Sequence, residues 1–269
     1  MTSGFRERIR RFLAARLDPK SELGLRLTIN VAVFALAIWA FGGLLDGVLD
    51  NEWLVRADLA INGWFHGHAT PGGRATFDVI TNFGTVGVGV AVVVVTLWLW
   101  LRNARFLAVA WLATNAGGAV VMWVLKTSVH RTRPQYAAEY LHGHSYSFPS
   151  AHTMFSTICY TLLAFVIGTL AHWPARRRAL LYVASTTLVL LIAFSRIYLG
   201  VHYPSDVLGG LAAGTAWLAA CVGALNVVRD RWLAPVTARG SNTRIAAPGS
   251  NSGIDAPGSN SGRGHGGKI

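Results

Sequence analysis

Three short clusters of polar residues, each at the end of a long apolar run, carry the side chains of this chain that could do chemistry. Together they supply three cations, two histidines, a hydroxyl and a carboxylate. Histidine can attack phosphorus or transfer a proton, and cations stabilise charge that develops on phosphoryl oxygens. The residue types therefore fit transfer of a phosphoryl group. The candidates are Lys126 and Arg133 in the first cluster, Ser150, Ala151 and His152 in the second, and Arg196, His202 and Asp206 in the third.

The first cluster ends the third apolar run, where Pro134 directly follows Arg133 and prevents a helix from continuing. Two cations at a membrane edge can simply extend their charged ends into water. These two stand on the predicted outer side, however, where positive charges are normally scarce. A phosphate group would explain them, because arginine makes a forked contact and Lys126 supplies a compact charge. His130 and Arg131 beside them are candidates for contacts with a substrate headgroup.

The second cluster, Pro149-Ser150-Ala151-His152, opens the fourth apolar run. Ser150 stands where a helix N-cap belongs, and capping alone is a sufficient reason for a serine there. A helix N-terminus also binds anions, so Ser150 and the neighbouring amides could hold phosphoryl oxygens. His152 would then protonate the departing oxygen, although a histidine at a membrane edge is more often a packed or interfacial residue.

The third cluster spans the end of the fifth apolar run and the start of the sixth. Arg196 is followed by His202 and then by Asp206, and Gly200 and Pro204 between them predict a folded loop. Asp206 would accept a hydrogen bond from His202, which fixes the tautomer and leaves the other ring nitrogen free to attack phosphorus. The alternative is an aspartate that only complements the positive end of a helix.

The elements that must position these clusters are transmembrane helices. Of 269 residues, 52% are hydrophobic and 13% are charged, a balance typical of multispanning membrane proteins. Six apolar runs are about 17 to 25 residues long, enough to cross the hydrocarbon. The sequence therefore predicts an all-α integral membrane bundle of six transmembrane helices. They are expected near residues 28–46, 79–101, 106–125, 153–171, 179–195 and 207–228.

Arginines concentrate in the second and fourth connections and in both terminal regions. The positive-inside rule places those parts in the cytoplasm, so all three clusters fall on the outer face. We therefore expect a multi-pass protein of the plasma membrane, the inner membrane of a bacterium, with cytoplasmic termini and an active site that faces the periplasm or the exterior. The first outer connection, 47–78, is predicted to include a short interfacial helix.

Three parts of the chain are expected to differ in character. Residues 1–27 read as a basic amphipathic segment on the cytoplasmic membrane surface; the alternative, a signal peptide, lacks a convincing cleavage site. Residues 28–228 form the membrane domain. Residues 229–269 are rich in Gly, Ser and Pro and are predicted to be disordered in the cytoplasm.

The net charge of +12 would suit a nucleic-acid binder, but most arginines flank apolar segments instead of lining a soluble face. No nucleic-acid partner is predicted, and the expected partners are the lipid bilayer and a lipid substrate. Two histidine pairs, His66 with His68 and His142 with His144, have an alternating spacing that could contact a metal. Because no cysteine or carboxylate frame accompanies them, no metal is predicted.

Taken together, the motifs resemble the type 2 phosphatidic acid phosphatase (PAP2) superfamily, which shares its signature with acid phosphatases and vanadium haloperoxidases. KxxxxxxRP is present as Lys126–Pro134, PSGH as Pro149–His152 and SRxxxxxHxxxD as Ser195–Asp206. The resemblance covers the third to the sixth helix. One position departs from the pattern, because Ala151 stands where the family usually has glycine, but no catalytic group is lost.

The resemblance implies roles for each candidate. His202 would be the nucleophile that forms a phosphohistidine, Asp206 would orient it, and His152 would protonate the leaving group and then activate water. The remaining residues would hold the equatorial oxygens of the transition state. These are Lys126, Arg133, Ser150, Arg196 and the amide of Ala151. No metal and no other cofactor are implied.

The activity expected from the resemblance is metal-independent hydrolysis of a lipid phosphate monoester or pyrophosphate. Phosphatidic acid, diacylglycerol pyrophosphate, phosphatidylglycerol phosphate and a polyprenyl pyrophosphate such as the undecaprenyl carrier are the implied substrates. Two alternatives remain open: a membrane phosphotransferase that uses the same residues, and a non-catalytic lipid-binding or transport protein. The second is disfavoured because every motif residue is intact. A haloperoxidase is disfavoured because no large soluble domain is present.

Overall fold

The computed structural model describes the greater part of the membrane domain, and the account below is confined to it. The chain divides into one compact unit of residues 1–230 and a second of residues 231–269. The predicted amphipathic segment 1–27 and the predicted tail 229–269 lie largely outside the described residues. Those residues are 7, 22–139, 146–171 and 173–233.

Within the described residues the secondary structure consists of eight α-helices and a short 3-10 helix, Gln135–Glu139, with no strand. This confirms the predicted all-α class. The α-helices are α1 (Glu22–Asp50), α2 (Glu52–His68), α3 (Pro71–Asn82), α4 (Val86–Leu101), α5 (Arg105–Ser128), α6 (Ala151–Leu170), α7 (Ala175–Tyr198) and α8 (Pro204–Leu233).

Six segments are long and apolar enough to cross a membrane, as predicted, and the chain is a multi-pass membrane protein. The second differs most from expectation, because it runs from Pro71 to Leu101 and combines α3 with α4. The oxygen of Thr70 caps α3 by accepting from the amide of Gly73 at 3.1 Å, and Pro71 suits the first helical position. The predicted boundary was too late because α3 begins with polar residues that read as a loop.

Helix α2 lies in the connection 47–78, where a short interfacial helix is predicted, and its position at a membrane interface stays a prediction. Its N-cap is Asn51, whose side-chain oxygen accepts from the amides of Trp53 at 3.0 Å and Leu54 at 3.4 Å. Its outer side exposes tryptophan, as an interfacial helix should. Its inner side is unusual, because Asp58 and Asn62 are both only 2% exposed. Buried polar groups need partners, so α2 must meet polar groups of the bundle.

Helix α6 lies at the centre of the bundle. The most apolar window of α6 is 61% buried, against 6% for that of α1. Glycines of α8 let the two helices approach closely: a Cβ at Gly210 would lie 2.6 Å from the carbonyl oxygen of Ser150, and one at Gly214 would lie 3.0 Å from that of Met154. Close packing thus explains these glycines, and it fixes the start of α6 against the start of α8.

Substituting Gly210→Ala is expected to destabilise the protein by about 1–3 kcal/mol, because the new methyl group would collide with backbone that cannot move aside. Gly223→Ala is the matched control in the same helix, since the nearest atom to its added Cβ is 4.0 Å away. The control should be neutral or stabilised by up to about 1 kcal/mol, because alanine favours the helix. Unfolding in detergent, followed by circular dichroism, gives the unfolding midpoint of each variant. Equal midpoints for Gly210→Ala and Gly223→Ala would contradict the close approach of α8 to α6.

Candidate active site

The three clusters meet at one end of the bundle, although they come from different helices. His152 is close enough to interact electrostatically with Arg196, His202, Arg133 and Lys126. Lys126 likewise interacts with Asp206. The elements that deliver them are the last turns of α5 and α7, the loop after α5, the first turns of α6 and α8, and the loop 199–203. The structure therefore brings all three predicted clusters together.

His202 is the centre of this arrangement and is 1% exposed. Its Nδ1 lies 3.3 Å from Oδ2 of Asp206, and its Nε2 lies 3.2 Å from the guanidinium of Arg133, which also donates to the carbonyl of Val201 at 2.9 Å. Because a carboxylate only accepts and a guanidinium only donates, Nδ1 carries the proton and Nε2 presents its lone pair. Gly200, at φ +67°, makes the turn that places this ring.

Burial lowers the pKa of His202 to about 3, even though Asp206 favours the charged ring. A lowered pKa favours the neutral form of the imidazole. A neutral ring whose Nδ1–H is held by a carboxylate has its Nε2 available as a nucleophile.

Asp206 is fully buried and has a complete set of donors. Besides His202, it accepts from the amide of Tyr203 at 2.9 Å, from the hydroxyl of Ser147 in a short hydrogen bond, and from Arg131 at 2.6 Å. Four donors hold the carboxylate ionised and fix its orientation. Sequence reasoning missed Ser147, since nothing in its local pattern marks it as a partner of a residue in α8.

The prediction that Arg131 contacts a substrate headgroup is wrong. Its side chain is 10% exposed and its guanidinium bridges two carboxylates, at 2.7 Å to Asp58 and 2.6 Å to Asp206. Burial alone would lower the pKa of Arg131, but the two carboxylates together raise it. A guanidinium committed in this way is not available to a ligand. His130 is exposed and meets Tyr146 edge-on at 4.5 Å, so the headgroup role stays a prediction for His130.

Arg196 has a buried donor with no partner. The residue is 5% exposed, and its guanidinium donates to the hydroxyl of Thr81 at 2.6 Å. Its Nε has no hydrogen bond within the described part of the chain. Such a buried donor costs about 1–3 kcal/mol unless a ligand accepts from it. Lys126 donates to the backbone carbonyl of Tyr146 at 2.6 Å. An anion bound beside these cations would accept the hydrogen bond that Nε of Arg196 lacks.

Ser150 occupies the N-cap position of α6, but its hydroxyl does not cap the helix. It accepts from the hydroxyl of Thr153 at 3.1 Å, and its amide donates to the carbonyl of Asp206 at 2.9 Å. Capping therefore does not explain this serine. The amide of Ala151 belongs to the first turn of α6, where N–H groups have no acceptor within the helix. Ser150 and Ala151 thus retain the predicted capacity to bind an anion.

His152 packs against the turn between α3 and α4, because a Cβ at Gly84 would lie 3.2 Å from both Cβ and Cδ2 of His152. Among the described residues the imidazole of His152 has no hydrogen-bond partner. A ring that is placed by packing and keeps both nitrogens available can exchange a proton with a bound ligand.

Thr81 is a site residue that sequence reasoning did not find. Thr81→Val removes the acceptor that holds Arg196, so we expect kcat/KM for phosphate release to fall about 10- to 100-fold, the range typical of residues that orient a ligand-binding group. Thr76→Val is the matched control, since Thr76 is exposed on the same helix and bonds only to the carbonyl of Gly72 at 2.9 Å. Steady-state kinetics gives kcat/KM for both variants. An equal kcat/KM for Thr81→Val and the unmodified chain would show that Thr81 does not contribute to the site.

The histidines that were weighed for metal binding have other contacts where the structure describes them. His66 stacks on Tyr136 with ring centroids 3.7 Å apart, and Nδ1 of His68 lies 2.8 Å from the carbonyl of Trp64. Within the described residues, no three His, Cys, Asp or Glu side chains are grouped to hold a metal ion. His142 and His144 lie outside those residues.

Fold and site together define a multi-pass membrane protein in which a histidine–aspartate pair faces buried cations. Residues 107–229, a little under half of the chain, match the family model of the PAP2 superfamily. The match covers α5 to α8, the helices that carry all three clusters.

Two curated relatives show what the chain is similar to. Phosphatidylglycerophosphatase B of Bacillus subtilis strain 168 is 35% identical over 91 residues, which cover 34% of this chain and 44% of the relative. Lipid A 1-phosphatase of Rhizobium johnstonii is 27% identical over 190 residues, which cover 65% of this chain and 63% of the relative. The chain therefore spans less than two thirds of the length of either relative.

One solved structure has the same fold. It is the crystal structure of the first transmembrane PAP2 type phosphatidylglycerolphosphate phosphatase from Bacillus subtilis, with a TM-score of 0.65 and 22% sequence identity. The likeness covers 74% of this chain and 96% of that one.

Proposed function

We propose that this protein is an integral membrane lipid phosphatase that hydrolyses a phosphate monoester or pyrophosphate on a lipid, through a phosphohistidine and without a metal. The observation that carries the proposal is the placement of His202: a buried ring with Nδ1 on Asp206 and Nε2 beside the guanidinium of Arg133. That geometry presents a nucleophile to an anion that the surrounding cations would hold.

The reaction has two steps in this proposal. First, Nε2 of His202 attacks phosphorus, the bond from phosphorus to the lipid oxygen breaks, and His152 gives its proton to that oxygen. Second, His152 takes a proton from water, which attacks phosphorus and releases inorganic phosphate from His202. In both steps Asp206 stabilises the positive charge that the ring of His202 acquires.

The phosphoryl oxygens carry negative charge throughout both steps, and cations with fixed geometry stabilise it most in the transition state. The unpartnered Nε of Arg196 supports such a role, because a phosphoryl oxygen would supply its missing acceptor. The residues that we propose for phosphate binding are Lys126, Arg133, Ser150, Ala151 and Arg196.

A lipid substrate fits the position of this site at one end of a transmembrane bundle, beside an interfacial helix with exposed tryptophans. Both curated relatives bear the names of phosphatases that act on lipids. We propose that the site faces the outer leaflet of the bacterial inner membrane with both termini in the cytoplasm. The reason is that the arginine-rich second and fourth connections, with Arg102, Arg105 and Arg176 to Arg178, lie at the helix ends opposite the site.

The test is phosphate release by the detergent-purified protein in EDTA. The panel contains phosphatidic acid, diacylglycerol pyrophosphate, phosphatidylglycerol phosphate and undecaprenyl pyrophosphate, each with and without an acceptor alcohol. We expect release of inorganic phosphate from at least one lipid with EDTA present. Release only when metal is restored would contradict the metal-free mechanism, and phosphate that appears only on the added alcohol would favour the transferase.

A further inference from the structure

Helix α2 makes contacts that reach the centre of the site, although it lies outside residues 107–229, which match the family model. The Nδ2 group of Asn62 lies 3.5 Å from the carbonyl oxygen of His202. Oδ1 of Asp58 accepts from the amide of Ser205 at 3.0 Å, and its Oδ2 accepts from the hydroxyl of the same serine in a short hydrogen bond. One helix therefore holds both ends of the segment that carries the nucleophile.

Asp58 and Asp206 are joined by Arg131. The guanidinium lies 2.7 Å from Asp58 and 2.6 Å from Asp206, and both carboxylates are almost fully buried, at 2% and 0% exposed. It also donates to the hydroxyl of Ser205 at 2.7 Å. Two carboxylates and one guanidinium carry a net charge of −1. These three buried side chains can therefore stabilise one positive charge on a neighbouring residue. That neighbour is the ring of His202.

We propose that Asp58 is a positioning residue that acts on His202 through Arg131 and Asp206. This inference rests on the proposed function in so far as His202 is the nucleophile. Asp58 occupies one side of the guanidinium, so Arg131 cannot turn fully onto Asp206 and displace the Nδ1–H of His202. Asp58 also supplies the negative charge that leaves Asp206 able to stabilise the positive ring of a phosphohistidine.

Asp58→Asn keeps the shape of the side chain but removes its charge, which changes the net charge of the three groups from −1 to 0. We expect kcat to fall about 10- to 100-fold with little change in KM, because binding of the phosphoryl group does not depend on Asp58. Asp50→Asn is the matched control, since it removes an exposed carboxylate that lies near the start of the same helix. Its kinetics should equal those of the unmodified chain.

A second readout reports on the ring without turnover. The Nδ1 proton of His202 is buried and bonded to a carboxylate, so it should give a downfield proton resonance in protein labelled with ¹⁵N-histidine, identified by its absence in His202→Gln. In Asp58→Asn we expect this resonance to move upfield, because Arg131 then weakens Asp206 as an acceptor. In Arg131→Gln it should move further downfield.

The double variant Asp58→Asn with Arg131→Gln gives the sharpest result. It restores the net charge of the three groups to −1 and removes the competing guanidinium, so both the resonance and kcat should recover part of what Asp58→Asn loses. A purely structural role predicts the reverse, since two substitutions should damage packing more than one. If Asp58→Asn does not fold, the downfield shift in Arg131→Gln still tests the connection to His202.

Two results would overturn the proposal: a resonance of His202 that stays unchanged in both single variants, or a double variant that is worse than Asp58→Asn in both readouts. Failure of the proposed function can be distinguished from failure of this inference. If the unmodified chain releases no phosphate from any lipid while the resonance still moves as expected, Asp58 positions His202 but the ring serves another reaction.

Discussion

His202→Gln is expected to lower phosphate release on the order of 10⁴-fold or more, because glutamine fills similar space but has no ring nitrogen to form the bond to phosphorus. The measurement uses a lipid substrate labelled with ³²P in the phosphoryl group and stopped in alkali, in which phosphohistidine is stable. The unmodified chain should carry label on the protein, and the variant should carry none.

The control for this substitution is His68→Gln, which alters an exposed histidine whose contacts are with the backbone carbonyl and the ring of Trp64 in its own helix. That variant should keep both the activity and the labelled intermediate. Label that persists in His202→Gln would assign the nucleophile to another residue. Loss of label with activity retained would instead indicate direct attack by water, with Asp206 and the cations only stabilising charge.

His152→Gln is expected to have a large effect that depends on the leaving group. For a lipid phosphate the departing alkoxide needs a proton, so we expect kcat to fall about 10²- to 10⁴-fold. For p-nitrophenyl phosphate the departing phenolate is stable without one, so formation of the phosphohistidine should be nearly unaffected. Hydrolysis of the intermediate still needs His152 to activate water, and the variant should release one nitrophenolate per protein and then stall.

Rapid-mixing absorbance with p-nitrophenyl phosphate measures that burst, and the unmodified chain under the same conditions is the reference. Equal losses in the rate of phosphohistidine formation from the lipid and from the aryl ester would contradict the role of general acid. They would show that His152 contributes to binding the phosphoryl group in both reactions. Continued turnover after the burst would contradict the role in activating water.

The sequence predicted much of the fold because hydropathy is a local property. All six spans were found, since each needs only its own apolar residues to be recognised. The start of the second span was misplaced because its first helix, α3 (Pro71–Asn82), is amphipathic and rich in polar residues. This helix packs against the bundle. Local hydropathy cannot distinguish such a helix from a loop, whereas the packing that stabilises it is visible only in three dimensions.

The site was predictable to the extent that its chemistry stands in short motifs. The hydrogen bond from His202 to Asp206 follows from residues four apart at a helix start, and the structure has it. Asp58 and Thr81 could not be found in this way, because their partners lie 73 and 115 residues away along the chain. Arg131 was misassigned for the same reason: a cation beside a phosphate motif looks like a ligand until its buried carboxylates are known.

The amide of Ser150 donates to the carbonyl of Asp206, and the hydroxyl of Ser147 donates to the carboxylate of the same residue. The segment that would bind phosphate and the segment that carries the nucleophile are therefore coupled through one residue. Local opening at the start of α8 would release both together, as a single cooperative unit. A site in which the nucleophile is in place but the phosphate-binding segment is not would then be scarcely populated. The ring of His202 would be protected from reaction with other electrophiles whenever the bundle is intact.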